Sequence, residues 1–328
     1  RDDFTMATIG FSQTFPNLAK RHARAARAAA DIGIAEAGEL VEGRNVRLET
    51  ALAWVDLYYG ERRLRQLDLL DASLDDLQKT VTARLASGSA RPSQALEPDQ
   101  LRAAIADRRA EMAAVVAQAR ARLARYTGDP DPQATGDPPM LDVDPIRLRA
   151  GIDALPALRA QDARIAVAEA DVRLARADKR PDWKVGVTYG RRDPMYGDMA
   201  SVGVSIDLPL FAGKRQNPRI AASESLAQGG RFDREAIRRE LVAQLDADLA
   251  DHAMHLSRLR NARETLVPLA RHRAELDRDS YGAGKLDLGA ALLTTLGLAE
   301  AEVEALNREA DVARDAVRIT ITYGEERP

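Results

Sequence analysis

The sequence predicts a mostly α-helical chain with a few β-strands, built from long antiparallel helical hairpins in a tandem structural repeat. Three observations predict this. No proline occurs between Pro16 and Pro92, so nothing in that stretch forces a helix to end. Two short segments alternate apolar and polar residues with the period of a strand rather than a helix. The order of motifs in the first half then recurs in the second.

The first element is an alternating segment at 6–16, ending Phe15-Pro16. A long helix is expected over 19–86. Within it Leu67, Leu70, Leu74, Leu77 and Val81 recur at spacings of three and four, a heptad seam that requires a partner helix. Residues 19–86 would extend roughly 100 Å at 1.5 Å per residue. A turn at 87–93 ends the helix: Gly88 suits a helix C-terminus and Pro92 cannot continue one. A returning helix at 96–126 carries Leu101, Ile105, Met112, Val115, Ala119 and Leu123 on one stripe. Residues 127–154, rich in Pro, Gly and Asp, form a connecting segment.

Helical spacing resumes at 155–179 and stops at Arg180-Pro181. Trp183, Val185, Val187 and Tyr189 then alternate with Lys184, Gly186, Thr188 and Gly190, predicting a strand at 183–190. A loop through Arg191 to Asp198 leads to a second strand at 201–210, where Val202, Val204, Ile206 and Leu208 share one face. Strands of about 9–11 residues can cross an outer membrane with lipid on one side and water on the other. The alternative is a hairpin packed on a soluble core. A long helix at 218–281 follows, a turn at 282–287 contains Gly282-Ala283-Gly284, and a helix at 288–319 returns. Residues 320–328 form a tail.

Ile9-Gly10-Phe11-Ser12-Gln13-Thr14-Phe15-Pro16 lines up with Val202-Gly203-Val204-Ser205-Ile206-Asp207-Leu208-Pro209, with Gly, Ser and Pro in the same places. Pro16 and Pro209 are 193 residues apart, and Gly88 and Gly284 are 196 apart. The repeats are 1–126 and 155–319, each a strand, a long helix, a turn and a returning helix. The second has a helix and strand ahead of its aligned strand. The expectation is that about fifty residues equivalent to these, and any signal peptide, precede the first.

Composition narrows the function. The net charge is -3, without the positive bias of a nucleic-acid binder, so no nucleic-acid partner is expected. There is no cysteine, which excludes disulfides, thiolate metal sites and cysteine nucleophiles. No segment has the roughly 18 apolar residues of a spanning helix. No catalytic triad or glycine-rich phosphate loop is recognisable, so neither catalysis nor a cofactor is expected. His252 and His255, three apart and beside Asp248 and Asp251, are candidate ligands for zinc, cobalt or nickel. The other reading makes them polar inter-helix or pore-lining residues, and no metal site is assigned.

The sequence resembles the TolC-like outer-membrane factor family. Leu155-Pro156-Ala157-Leu158-Arg159 through Lys179-Arg180-Pro181-Asp182-Trp183 is similar to that family's pre-strand helix. Val202 to Phe211, ending Leu208-Pro209-Leu210-Phe211, is similar to its second barrel strand. Tyr281-Gly282-Ala283-Gly284-Lys285-Leu286 resembles its periplasmic helical turn, and Leu85-Ala86-Ser87-Gly88 is the second copy.

The resemblance implies a homotrimeric tube in the bacterial outer membrane with a periplasmic extension, a shared membrane β-barrel continuing into an α-barrel of paired helices. It implies a passive export duct for metal cations or drugs, coupled to a periplasmic adaptor and an inner-membrane efflux pump; the compact cysteine-free chain leans toward the heavy-metal branch. Leu85, Ser87, Gly88, Tyr281, Gly284 and Lys285 would be the adaptor-contacting tips, and 127–154 an equatorial connector. The chain departs from the pattern in holding three of four expected strands. Where the family often has pore-narrowing acids, six and nine residues after each turn glycine, it has Ala290 and Leu293 in one copy and Gln94 and Glu97 in the other. Glu97 is thus the candidate constriction. Alternative functions are a periplasmic adaptor, which carries one hairpin rather than two, and a soluble coiled-coil scaffold, which needs no amphipathic strands.

Overall fold

A computed structural model describes residues 6–88, 91–139, 141–192, 195 and 197–324. Ser89 and Ala90 of the first turn, Met140 of the connector, Asp193, Pro194 and Tyr196 of the hairpin loop, and residues 1–5 and 325–328 lie outside the described residues. The order is β1 (Ala7–Phe15), α1 (Leu18–Ala86), a 3-10 turn (Pro92–Leu96), α2 (Glu97–Thr127), α3 (Pro145–Gly151), α4 (Pro156–Ala177), β2 (Asp182–Arg191), β3 (Met199–Asp207), α5 (Gln216–Asn261), α6 (Val267–Gly282) and α7 (Leu288–Tyr323).

Several boundaries differ from the sequence expectation for physical reasons. The segment expected as one helix over 218–281 is interrupted by a π-turn at Ala262–Leu266. Pro268 has no amide hydrogen and would clash with the carbonyl four residues back. The widened turn, in which the Val267 amide reaches Ala262 O, absorbs this. The strand expected at 201–210 ends at Asp207; Pro209 cannot donate to a ladder, and Leu210 instead donates to Leu208 O at 2.9 Å. The connector holds a helix the composition hid. Asp144 caps α3 by accepting from the amides of Ile146 and Arg147, with Pro145 in its first turn. Residues 320–323 of the expected tail belong to α7.

The chain divides into two compact units, Arg1–Val41 with Asp153–Glu240, and Glu42–Ile152 with Leu241–Pro328. These cut across the sequence repeats, because a single strand-and-helix module has no second layer on which to bury its apolar face.

In the first unit β1, β2 and β3 form an antiparallel sheet in that order. Its helices pack through small side chains: Ala23, Ala37, Ala170, Ala177 and Ala227 are buried with Leu158 and Val172. Buried Gln161 donates to Gly230 O at 3.0 Å. Arg231–Glu169 (2.7 Å) and Arg234–Asp162 (2.6 Å) join α4 to α5. Asn17 links strand to helix: its Oδ1 caps α1 at the Lys20 amide (2.9 Å) while its own amide donates to Asp182 Oδ1 (2.9 Å).

The second unit is built on the heptad seam. Leu70, Leu74, Leu77 and Val81 are buried against Ile105 of α2, Tyr281 of α6 and Leu288, Ala291, Leu292 and Ala299 of α7. Further along α2 the apolar stripe uses Val116, buried with Ala53, Leu57, Ala119 and Leu123, not the expected Val115, which is 43% exposed. Val116 lies about 20° around the helix from Ile105, whereas Val115 lies about 80° off to the other side. Gly60 lets α2 approach α1 closely, since a Cβ there would meet Val116 Cγ2 at 3.1 Å. Trp54 stacks on Tyr58 at 5.2 Å. The Tyr58 hydroxyl donates to Asp137 (2.9 Å), tying the connector to α1.

Candidate functional site

Two features distinguish this chain from a solid helical bundle, and each belongs to one unit. The first is the sheet. Register places Ile9, Tyr189 and Ala200 in one cross-strand row, followed by Phe11, Val187 and Val202, then Gln13, Val185 and Val204, then Phe15, Trp183 and Ile206. The opposite face carries Gly10, Thr188 and Ser201, then Ser12, Gly186 and Gly203, then Thr14, Lys184 and Ser205. The apolar rows are uncovered: Phe11 is 72% and Val202 74% exposed. Among the described residues of this unit no layer covers that face, so the alternative of a hairpin packed on a soluble core does not hold for them. An apolar surface of this extent marks an interaction with lipid or protein. Nine or ten residues per strand at about 3.3 Å each span the roughly 30 Å of a bilayer's hydrocarbon. Among the described residues no helix is long and apolar enough to cross a membrane.

The second feature is the helical tip, where the two glycine turns meet. α1 ends as Gly88 takes φ +73° and donates to Leu85 O at 3.0 Å. α6 ends as Gly284 takes the same φ and donates to Tyr281 O at 2.9 Å. Asp287 then caps α7 by accepting from the Gly289 amide. The turns are fastened together. Arg84 Nη1 donates to Tyr281 O at 2.9 Å, and its guanidinium lies 4.7 Å from the centroid of the Tyr281 ring. Gln94 Nε2 donates to Asp287 Oδ1 at 2.7 Å.

The expected tip residues divide into two kinds. Tyr281 is buried and Leu85 packs against the seam cluster. Ser87, Gly88, Gly284 and Lys285 are exposed. Glu97 is not a freely projecting carboxylate. Its Oε2 is buried with no hydrogen-bond partner, and burial followed by the nearby Asp287 charge pushes its carboxyl above the usual range. Sequence reasoning missed Arg84 and Asp287, and named Gln94 only as standing where the family often has a pore-narrowing acid. Asp before the apolar start of α7 is a cap signal that was legible; the cross-turn contacts of Arg84 and Gln94 left no periodic trace.

The histidines lie between α5 and α7. His255 Nδ1 is 2.6 Å from Asp315 Oδ2, while His252 Nδ1 is 3.9 Å from the same oxygen and buried without a hydrogen-bond partner. Asp248 does not join them; it accepts from the Tyr323 hydroxyl at 2.8 Å, and Asp251 is exposed. Two ligands about 2.1 Å from one tetrahedral metal sit roughly 3.4 Å apart. The 2.6 Å contact is therefore a hydrogen bond, and the candidate ligand set is not assembled. Among the described residues no three His, Asp or Glu converge as metal ligands. Asp315 is held below its usual range: burial resists the charge, and the two histidines beside it, of which His255 is at hydrogen-bond distance, outweigh burial.

No curated protein matches this sequence. The fold is similar to that of a membrane protein from Pseudomonas aeruginosa, at 16% identity and TM-score 0.82, covering 98% of this chain and 81% of that one. It is also similar to the outer membrane protein VceC of Vibrio cholerae, at 14% identity and TM-score 0.77, covering 98% and 87%. The open state of the MtrE outer membrane channel of Neisseria gonorrhoeae matches at 15% identity and TM-score 0.72, covering 98% and 80%. At these identities the likeness is one of fold. Residues 153–325 match the model of the family described as outer membrane efflux protein. The chain belongs to the outer membrane efflux protein family, as a non-enzymatic subunit of an outer-membrane efflux channel.

Proposed function

We propose that this subunit assembles as a homotrimer into the exit duct of a tripartite efflux system. A periplasmic adaptor engages its helical tip, and an inner-membrane pump drives the cargo. The two-faced sheet supports this reading most directly. A three-stranded sheet with a lipid-compatible face and a polar face leaves β1 and β3 with open edges, and closure with other copies would pair them. The polar rows are mainly Gly, Ser and Thr. Selection among metal cations or drugs is accordingly assigned to the pump, with the duct carrying whatever it receives.

The tip supports the adaptor contact. Ser87, Gly88, Gly284 and Lys285 are exposed at the turns, where a partner can reach them. Deleting 86–93 and 282–288 should abolish efflux from cells lacking their own channel, while helicity and trimer mass stay unchanged. Transport surviving both deletions removes the tip from the mechanism. A trimer mass absent from native mass spectrometry removes the barrel.

A further inference from the structure

The tip contains one group that the fastening described above leaves unexplained: a carboxylate oxygen of Glu97 that is buried and lacks a donor. A Cβ placed on Gly289 would lie 3.5 Å from Glu97 Oε2 and 3.4 Å from Asp287 Oδ2. Both oxygens therefore border the space beside Gly289, which no side chain fills. Asp287 is an acceptor in both of its contacts, from Gln94 Nε2 and from the Gly289 amide. Glu97 is left as the group placed to supply a proton between the two carboxyls.

We propose that Glu97 and Asp287 form a proton-dependent latch between the two turns. When protonated, Glu97 donates through Oε2 to Asp287 and joins the start of α2 to the start of α7. When that proton passes to solvent, two like charges face each other in a partly desolvated space and push the turns apart. This rests on the conduit reading and adds its regulation: acid holds the tip shut.

The surrounding charges agree. Arg84 of α1 is engaged with Tyr281, and Arg102 of α2 with Asp71 and Asp75 of α1. The remaining charged groups of the turns are Arg91, Asp99 and Lys285. The Glu97 carboxyl is shifted upward from 4.5 by burial and then by Asp287. A raised value favours the latched state at low pH and releases it as pH climbs through that value.

The test is single-channel recording of the full chain in planar bilayers from neutral pH down to pH 4.5, the ordinary value from which Glu97 is raised. It is paired with spin-label distances between Ser87→Cys and Lys285→Cys, which introduce the only thiols. Wild type should close on acidification and its label distances should narrow. Glu97→Gln, whose amide donates to Asp287 at every pH, should stay latched, and its ratio of open probability at neutral and acid pH should fall to unity. Glu97→Ala should lose the pH response without the closure. A wild-type pH response in Glu97→Gln overturns the latch and leaves the conduit intact. No conductance from either wild type or the tip-deleted chain overturns the conduit, and the latch with it.

Discussion

Arg84 grips Tyr281 twice, through a 2.9 Å hydrogen bond to its carbonyl and through its ring face at 4.7 Å. One side chain at the end of α1 thus satisfies the carbonyl of a residue at the end of α6 and covers its aromatic ring. The same carbonyl also accepts from the Gly284 amide at 2.9 Å, so Arg84 adds a second donor to the end of α6.

Arg84→Ala should loosen the tip with little effect on the rest of the helices. One charge-assisted hydrogen bond and one cation–π contact together amount to about 2 kcal/mol. Channel recordings should show higher open probability with a nearly unchanged melting temperature. Arg84→Lys, which keeps charge but not the planar fork, should fall between the two.

Gly128 and Gly284 both take φ +73°. An alanine at Gly128 meets nothing within 4 Å, and at Gly284 it meets Arg84 Nη2 at an ordinary 3.6 Å. The penalty at both is therefore backbone conformation, about 1 kcal/mol each. Denaturant titration should give similar losses for Gly128→Ala and Gly284→Ala. Only the second should also change gating, because only it touches the fastening residue.

Val187 and Thr188 point to opposite faces of β2. Val187→Arg puts a charge on the lipid-compatible face and should cost about 2–4 kcal/mol near the bilayer midplane. Thr188→Lys should insert normally and alter ion selectivity instead. Unfolding titrations in liposomes and reversal-potential measurements separate the two outcomes. Equal effects from both substitutions would show that the faces are assigned wrongly.

Asp315 ties its stability contribution to pH. Its folded-state value lies below the ordinary 3.8. The contribution is therefore fully present above that ordinary value and is lost as pH falls through the folded one. Asp315→Asn should lower stability by about 2 kcal/mol at neutral pH, as expected for hydrogen bonds to a buried charge. Melts of variant and wild type should converge in acid. A difference that persists there would point to packing rather than charge.

Much of the molecule was legible because period and punctuation are local properties. Leu70, Leu74, Leu77 and Val81 form the seam their spacing predicts, and Gly88 and Gly284 end helices as glycines do. The alternation of Trp183 to Tyr189 and of Val202 to Ile206 marks the faces of β2 and β3. Less visible were features set by a neighbour in space. The π-turn before Pro268 is one of several ways a helix can absorb a proline. His252, His255, Asp248 and Asp251 share a stretch of sequence, but the fold gives Asp315 to the histidines and Tyr323 to Asp248.

By itself the sequence determined where helices run and stop, which strand face is apolar, and that one plan is used twice, because each follows from residue spacing along the chain. Only the tertiary structure decided that Arg84 reaches Tyr281, that Gln94 reaches Asp287, and that Glu97 is turned inward beside Gly289. Those contacts join residues almost two hundred positions apart, and their geometry exists only once packing has fixed the ends of both hairpins.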